Sequence, residues 1–282
     1  MDNRLNLKIL IVLNPVSGGK KRINWEPEIR KYFLSRNDTV EFFMLTGKDD
    51  TDSLQYWFSK FKPDRVIAVG GDGTISMVAK QIMGTNIILG ILPAGSANGM
   101  AKELQIPDDP LEAIRLITDG EVKCCDIIKV NDENICFHLS DLGLNARLIK
   151  YFDDSSFRGM WGYARMVFKV LWRKKLMDAH ILADGLDIQT KAYMVVIANA
   201  SKYGTGAVIN PDGKVDDAKF EIIVLRKISI IQFVKMFWSY KTFNPQNVEI
   251  FHTTQATITT RHDTHFQIDG EFKGKINKVT AK

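Results

Sequence analysis

The chain has 282 residues, 45% of them apolar and 25% charged, with a formal net charge of +5. That length accommodates one large domain or two smaller ones, and the apolar share supplies a real core, which excludes a disordered chain. The charge bias suits phosphate-rich ligands or an anionic membrane surface. It lacks the dense Lys/Arg patches of nucleic-acid binding, so nucleic acid is not among the expected partners.

In chain order, Lys8–Leu13 is a short buried-strand run. It is too brief for a signal peptide and no small-residue cleavage site follows it; elsewhere no stretch reaches the about 18 apolar residues of a spanning helix. The expected localisation is therefore cytoplasmic, with any membrane contact peripheral and from the inner face. A glycine-rich turn leads to an amphipathic stretch near Trp25–Leu34. Thr39–Leu45 reads as a second strand, Thr51–Phe61 as a helix and Arg65–Val69 as a third strand. After the next glycine turn, Ile75, Val78, Ala79, Ile82 and Met83 share one helical face. Ile87–Leu92 is a fourth strand, and a helix entered at Asp108 with Pro110 in its first turn ends before Gly120. Repeated strand–helix units predict a Rossmann-like parallel-sheet domain over residues 1–121.

From Val122 the texture becomes β-rich. Predicted strands are Val122–Val130, Ile135–Leu139, Ala192–Asn199, Phe220–Leu225, Val248–Phe251, Ala256–Thr260 and His265–Ile268, interrupted by helical stretches at Gly162–Lys175 and Ile228–Tyr240. Asn131–Asn134 has hairpin composition. This is the second domain, residues 122–282. Cys124, Cys125 and Cys136 form neither a metal-ligand spacing nor a disulfide framework and read as free thiols.

Three turns follow strands at one sheet edge. Gly70-Gly71-Asp72-Gly73-Thr74 lets backbone N–H groups approach a phosphate at a helix N-terminus. A carboxylate there repels phosphate, so Asp72 implies a bridging cation, a proton to be taken from an attacking hydroxyl, or a capped helix. Asn14-Pro15-Val16-Ser17-Gly18-Gly19-Lys20-Lys21 sits in the same position after the first strand, without the Gly-Lys-Ser/Thr ending of a Walker A loop. Pro93-Ala94-Gly95-Ser96-Ala97-Asn98-Gly99 is the third. Asp269-Gly270-Glu271, near the C-terminus, has the composition of a tight hairpin.

Together these segments resemble the diacylglycerol kinase catalytic-domain family, which includes bacterial lipid kinases and sphingosine kinases. The Asn-Pro-x-Ser-Gly opening, the Gly-Gly-Asp-Gly-Thr loop, the Pro-x-Gly-Ser-x-Asn turn and the late Asp-Gly-Glu stand in family order over nearly the whole chain. The resemblance implies an N-terminal nucleotide domain, a C-terminal β-sandwich domain and a cleft between them for ATP and lipid. It implies a phosphotransferase with an alcohol acceptor, using ATP and Mg²⁺ in phospholipid metabolism. Asn14, Ser17, Thr46, Gly71, Gly73, Thr74, Gly95, Ser96 and Asn98 would line the nucleotide, with Arg158 at its phosphates. Asp72 would be the general base or part of a magnesium network, and Glu271, with Asp269, would approach the reacting centre. Asp126 and Asp217 match acidic positions, the latter where some bacterial members hold a structural magnesium ion. Two departures stand out: Gly99 replaces an acid common in bacterial members, and the chain stops at Lys282, where the family continues through another strand.

The expected partners are a lipid substrate and a membrane surface, with a homodimer left open. Trp161, Tyr163, Met166, Val167, Phe168 and Trp172, followed by Arg173-Lys174-Lys175, form an aromatic, basic-ended helix that could be core or membrane contact. A soluble-metabolite kinase of the NAD kinase type and a non-catalytic relative remain the alternatives.

Overall fold

The computed structural model describes residues 6–18, 23–153, 175–201, 209–211, 213–227 and 247–282. The chain divides into two compact units, Met1–Lys123 and Cys124–Lys282.

In the first unit β1 (Lys8–Leu13), β2 (Thr39–Met44), β3 (Arg65–Gly70) and β4 (Ile88–Pro93) form a parallel sheet in the order β2-β1-β3-β4. β3 is buried along its whole length and β1 from Ile9 onward, so both read as continuous apolar runs. Helix α1 (Trp25–Phe33) buries Trp25, Ile29 and Phe33, spaced at four residues. With α5 (Pro110–Asp119) it packs on Ile9, Ile11, Ile67 and Val69. The alternate residues Leu10, Val12, Val66 and Ala68 are equally buried and face the other way. That face is taken by α2 (Asp50–Phe61) and α3 (Asp72–Ile82), which contact each other. A short helix, α4 (Gly99–Glu103), follows the turn after β4. α5 starts as its sequence dictates: Asp109 accepts the Glu112 N–H at 2.9 Å and Pro110 occupies the first turn.

The second unit is an antiparallel sandwich. Its strands run β12-β11-β10-β7-β13-β14-β5-β6, with β8 paired to β13 and β9 to β8. They are β5 (Ile128–Val130), β6 (Asn134–Cys136), β7 (Leu139–Gly143), β8 (Met177–Ala183), β9 (Leu186–Ala192), β10 (Met194–Ala198), β11 (Phe220–Leu225), β12 (Val248–Thr253), β13 (Ala256–Ile268) and β14 (Glu271–Ala281). The long β13 pairs with β14 along its length, with β8 over Ala256–Thr260 and with β7 over Phe266–Ile268. It thereby joins the layers around a core that includes Leu142, Ile181, Ile222, Ile258 and Phe266. Helix α6 (Leu144–Asp153) covers a second cluster with Leu139, Met194 and Ile223.

Several expectations are corrected. Val122–Val130 is a strand only over Ile128–Val130, because residues 121–127 have no regular structure. Ala256–Thr260 and His265–Ile268 are one strand with a register shift between Thr259 and Thr264. Ile135–Leu139 is divided between β6 and β7, and α6, β8 and β9 are additional. Beyond the Asp269-Gly270 turn the chain adds a further strand, β14. The expected helices at 162–175, up to residue 174, and at 228–240 lie outside the described residues.

Candidate active site

The carboxyl ends of the parallel strands come level with one another. Leu13 pairs with Val69 and Val69 with Leu92, so the chain leaves β1, β3 and β4 at one height. Asn14 N–H donates to Val69 O and Ala94 N–H to Gly70 O, both at 2.9 Å. From β1 the chain turns to one side of the sheet and from β3 to the other, which makes this the topological switch point where open α/β sheets take ligands.

Asn14 spans that point. Its Nδ2 donates to Thr74 Oγ1 at 3.0 Å, and its Oδ1 accepts the Val16 N–H at 3.1 Å. Ser17 Oγ donates to the Asn14 carbonyl at 2.9 Å, closing the turn after β1. The turns after β3 and β4 touch through bare backbone. A Cβ on Gly71 would lie 3.2 Å from Gly95 Cα, and a Cβ on Gly95 would collide with Gly71 Cα. Neither glycine has positive φ, so close approach, not conformation, demands glycine here. A Cβ on Gly73 would meet nothing within 4 Å.

Asp72 joins the same two turns. Its Oδ2 accepts the Gly99 N–H at 2.9 Å and its Oδ1 the Met100 N–H at 3.1 Å. The acid among glycines therefore caps α4, not the helix it begins; α3 has no side-chain cap of its own. Asn98, at φ 53°, clamps its own turn: Oδ1 accepts the Gly95 N–H at 2.8 Å and Nδ2 donates to Gly95 O at 2.9 Å. Ser96 is exposed at the tip.

Thr46 follows β2 at the same edge, where Leu45 N–H donates to Leu13 O. Its amide and hydroxyl donate to Asp50 Oδ1 at 2.8 and 2.9 Å, and Gly47 N–H donates to Oδ2 at 2.8 Å. Burial pushes the Asp50 carboxyl up, but these bonds outweigh it and hold it below the ordinary carboxylate value. Asp50 organises Thr46 and was missed in the sequence, where an acid in the first turn of a helix passes for ordinary charge patterning. Arg158, Lys20 and Lys21 lie outside the described residues.

The second unit holds the other candidates. Asp269 and Gly270, at φ 48° and 86°, form a two-residue turn of the primed type between paired Ile268 and Glu271. The Asp269 carboxylate accepts the N–H groups of Phe137 and His138, both at 2.9 Å, and of Leu139 at 3.1 Å. Burial raises its pKa above the ordinary value despite those donors, and burial likewise pushes up the neighbouring Cys136 thiol, 3.4 Å from Asp269 Oδ1. Glu271 is 66% exposed and pairs with Lys273 at 2.8 Å. Asp126 Oδ2 accepts the Ala218 N–H at 2.6 Å, and Asp217 Oδ1 accepts the Lys219 N–H at 3.1 Å.

The carboxylates of Asp72, Asp126 and Asp217 each accept one or two backbone amides, and among the described residues no three His, Cys, Asp or Glu side chains gather to hold a metal. A groove between the β8–β9 turn and Lys282 lies at the far end of β13 from Asp269 and contains none of the candidate residues.

A parallel sheet with contacting glycine turns at its switch point, followed in the chain by an antiparallel sandwich, defines a two-unit α/β plus β protein. Residues 8–130 match the family described as "Diacylglycerol kinase catalytic domain" and residues 140–281 that described as "YegS C-terminal NAD kinase beta sandwich-like domain". The chain belongs to the diacylglycerol kinase catalytic-domain family, a family of phosphotransferases. It is 29% identical over 272 residues to the "Probable lipid kinase YegS-like" of Pectobacterium atrosepticum, covering 93% of this chain and 88% of that one. It is 26% identical over 223 residues to a "Diacylglycerol kinase" of Staphylococcus aureus, covering 76% of this chain and 70% of that one. The crystal structure of a diacylglycerol kinase from Bacillus anthracis shares the fold, with a TM-score of 0.72 and 20% identity over 98% of this chain and 93% of the other.

Proposed function

We propose that this chain is an ATP-dependent lipid kinase, transferring the γ-phosphate to the hydroxyl of a lipid such as diacylglycerol or a sphingoid base. The observation that carries this reading is the junction of the turns: Asn14 bonded to Thr74, Gly71 against Gly95, and Asp72 bonded to the amides of α4. Bare backbone at Gly71, Gly73 and Gly95 and the uncapped N-terminus of α3 fit the phosphates of a nucleotide. ATP, when bound, supplies the phosphoryl group.

Phosphoryl transfer asks the protein mainly for positioning and charge stabilisation. In this reading the amides of the β3–α3 turn and the Gly95–Ser96 turn hold the phosphates. Asn14 and Asn98 keep those turns in shape, and Ser17 and Thr46 line the same edge. Asp72 accepts the proton of the acceptor hydroxyl: each of its oxygens takes one amide N–H and retains a lone pair. Glu271 is the alternative acceptor, and Asp269 positions it by anchoring the hairpin. Mg²⁺, when bound with ATP, would neutralise the charge of its phosphates, and Asp72 would then belong to the network that holds it.

The lipid is reached peripherally, from a cytoplasmic location; among the described residues no helix is long and apolar enough to cross a membrane. Liposome pelleting that weakens when Arg173, Lys174 and Lys175 lose their charge supports that contact. The central test is ADP release from ATP with diacylglycerol, sphingosine, ceramide, phosphatidylglycerol and monoacylglycerol, for wild type and Asp72→Ala. Turnover with one of these lipids, lost in a folded Asp72→Ala protein, is expected. The description of the C-terminal family as NAD kinase-like gives a second reading its place, so NAD joins the panel. NADP formation without lipid phosphorylation overturns the lipid reading.

A further inference from the structure

A buried carboxylate stands in the second unit where packing alone calls for an apolar side chain. Asp141 on β7 is fully buried, and its cross-strand neighbour on β10 is Val196, a member of the apolar cluster that α6 covers. Taking a carboxylate out of water there is costly unless its oxygens are bonded. They are: Oδ1 accepts the Ala146 N–H at 2.8 Å, and Oδ2 accepts Asn145 Nδ2 and Gln267 Nε2, both at 2.6 Å. Two of these donors belong to the first turn of α6.

The third donor, Gln267, carries the arrangement to the Asp269–Glu271 hairpin. It lies opposite Asp141 on β13 and is buried. Its Nε2 faces two acceptors, Asp141 Oδ2 and, at 3.5 Å, Leu139 O. Its Oε1 therefore points the other way and accepts the Gly270 N–H at 2.7 Å. With N–H donors on both oxygens, Asp141 acts as an acceptor and decides which end of the Gln267 amide meets the turn. The two amides inside a two-residue hairpin turn have no partner in the ladder itself. Here both are held, Asp269 N–H by Leu139 O at 2.9 Å and Gly270 N–H by Gln267. Glu271 is the next residue. Apolar side chains at 141 and 267 together would serve the core alone, whereas the polar pair reaches the turn.

We propose that Asp141 and Gln267 are positioning residues for Glu271: the carboxylate orients the Gln267 amide, and that amide fixes the turn from which Glu271 projects. The same carboxylate holds the first turn of α6, so helix and hairpin share one anchor. The inference deepens the lipid-kinase reading and rests on it where that reading brings Glu271 to the reacting centre. Ser140 supplies a control. It is equally buried, and its Oγ donates at 2.7 Å to the main-chain carbonyl of Gln267, not to the side-chain amide.

The test reads solvent exchange of the Gly270 amide by NMR in the full chain carrying isotope-labelled glycine, beside kcat with whichever lipid of the panel supports turnover. Asp141→Asn keeps the size of the side chain but sets an NH₂ among donors; Gln267→Ala removes the acceptor. Each speeds Gly270 exchange roughly tenfold and lowers kcat by a similar factor. The exchanged pair, Asp141→Asn with Gln267→Glu, moves the carboxylate to β13, where it still accepts the Gly270 N–H, and restores both readings. Ser140→Ala loses a buried hydrogen bond beside them and leaves both unchanged. The proposal is overturned by an unaltered Gly270 amide in Asp141→Asn, by an equal change in Ser140→Ala, or by an exchanged pair no better than Asp141→Asn alone. Faster exchange with kcat intact also overturns it, since the pair then holds the turn for the fold alone. If the wild type turns over no lipid, the kinase reading fails, and the Gly270 amide still decides whether Asp141 and Gln267 hold the turn.

Discussion

Gly95 is where a single methyl group would be felt most. Its Cβ would collide with Gly71 Cα and approach Asn98 Oδ1 to 2.8 Å. Gly95→Ala must therefore push the turns after β3 and β4 apart. A stability loss of about 1–3 kcal/mol in denaturant unfolding is expected, with kcat/KM lower by about a hundredfold. A variant that unfolds earlier but keeps its kcat/KM would separate this contact from catalysis. Asp72 shows why residue-level reading of sequence reaches only so far. An acid among glycines announces a role, and the family pattern announces which, but the partner of its oxygens is an amide 27 residues away. Gly99, notable in the sequence as a missing acid, provides that amide.

At the scale of elements, one carboxylate ties a hairpin to a strand. Asp269 links the β13–β14 turn to the start of β7 through the amides of Phe137, His138 and Leu139. Asp269→Ala leaves these donors without their acceptor, so a loss of about 3 kcal/mol is expected in urea unfolding. Asp269→Asn keeps one acceptor oxygen and should lose visibly less. Equal losses would mean that the carboxylate charge, not the hydrogen bonding, fixes the turn. The turn itself was legible, since Asp-Gly between strand-forming residues has few other readings. So were β1 to β4, because strands buried on both faces appear as unbroken apolar runs. β14 was not: Glu271–Ala281 mixes Lys, Asn and Thr with few apolar positions and is a strand because β13 pairs with it. β9 escaped for the same reason, and α6 because it follows β7 directly, the chain turning at Gly143 with no loop between them. Val122–Val130 failed in the opposite direction, since strand-forming composition without a neighbouring ladder leaves residues 121–127 irregular.

For the whole molecule, His265 sets a direction for acid stability. Its pKa falls from 6.5 in the unfolded chain to about 4 in the folded one. Between those values the unfolded state binds more protons, so its contribution to stability is present above pH 6.5 and lost as pH falls toward 4. Asp269 acts oppositely, because a carboxyl raised above 3.8 keeps its proton longer in the folded state. Thermal unfolding of wild type and His265→Gln across this range isolates the histidine: the variant should lose less stability on acidification. Identical slopes would show that burial, with Lys275, Lys150 and Arg147 nearby, does not depress it. The passage of β13 through both layers of the sandwich has a different consequence, during synthesis. Ser140 Oγ donates to Gln267 O, 127 residues away, and β7, which can pair with β10 earlier, cannot find β13 until that distance has been translated. At ribosomal rates this delay is roughly 6–25 s. The parallel sheet can assemble while the apolar faces of β7, β10 and β11 still wait for their closing strand. The nascent chain is most vulnerable to aggregation in that interval, and a chaperone has most to shield there.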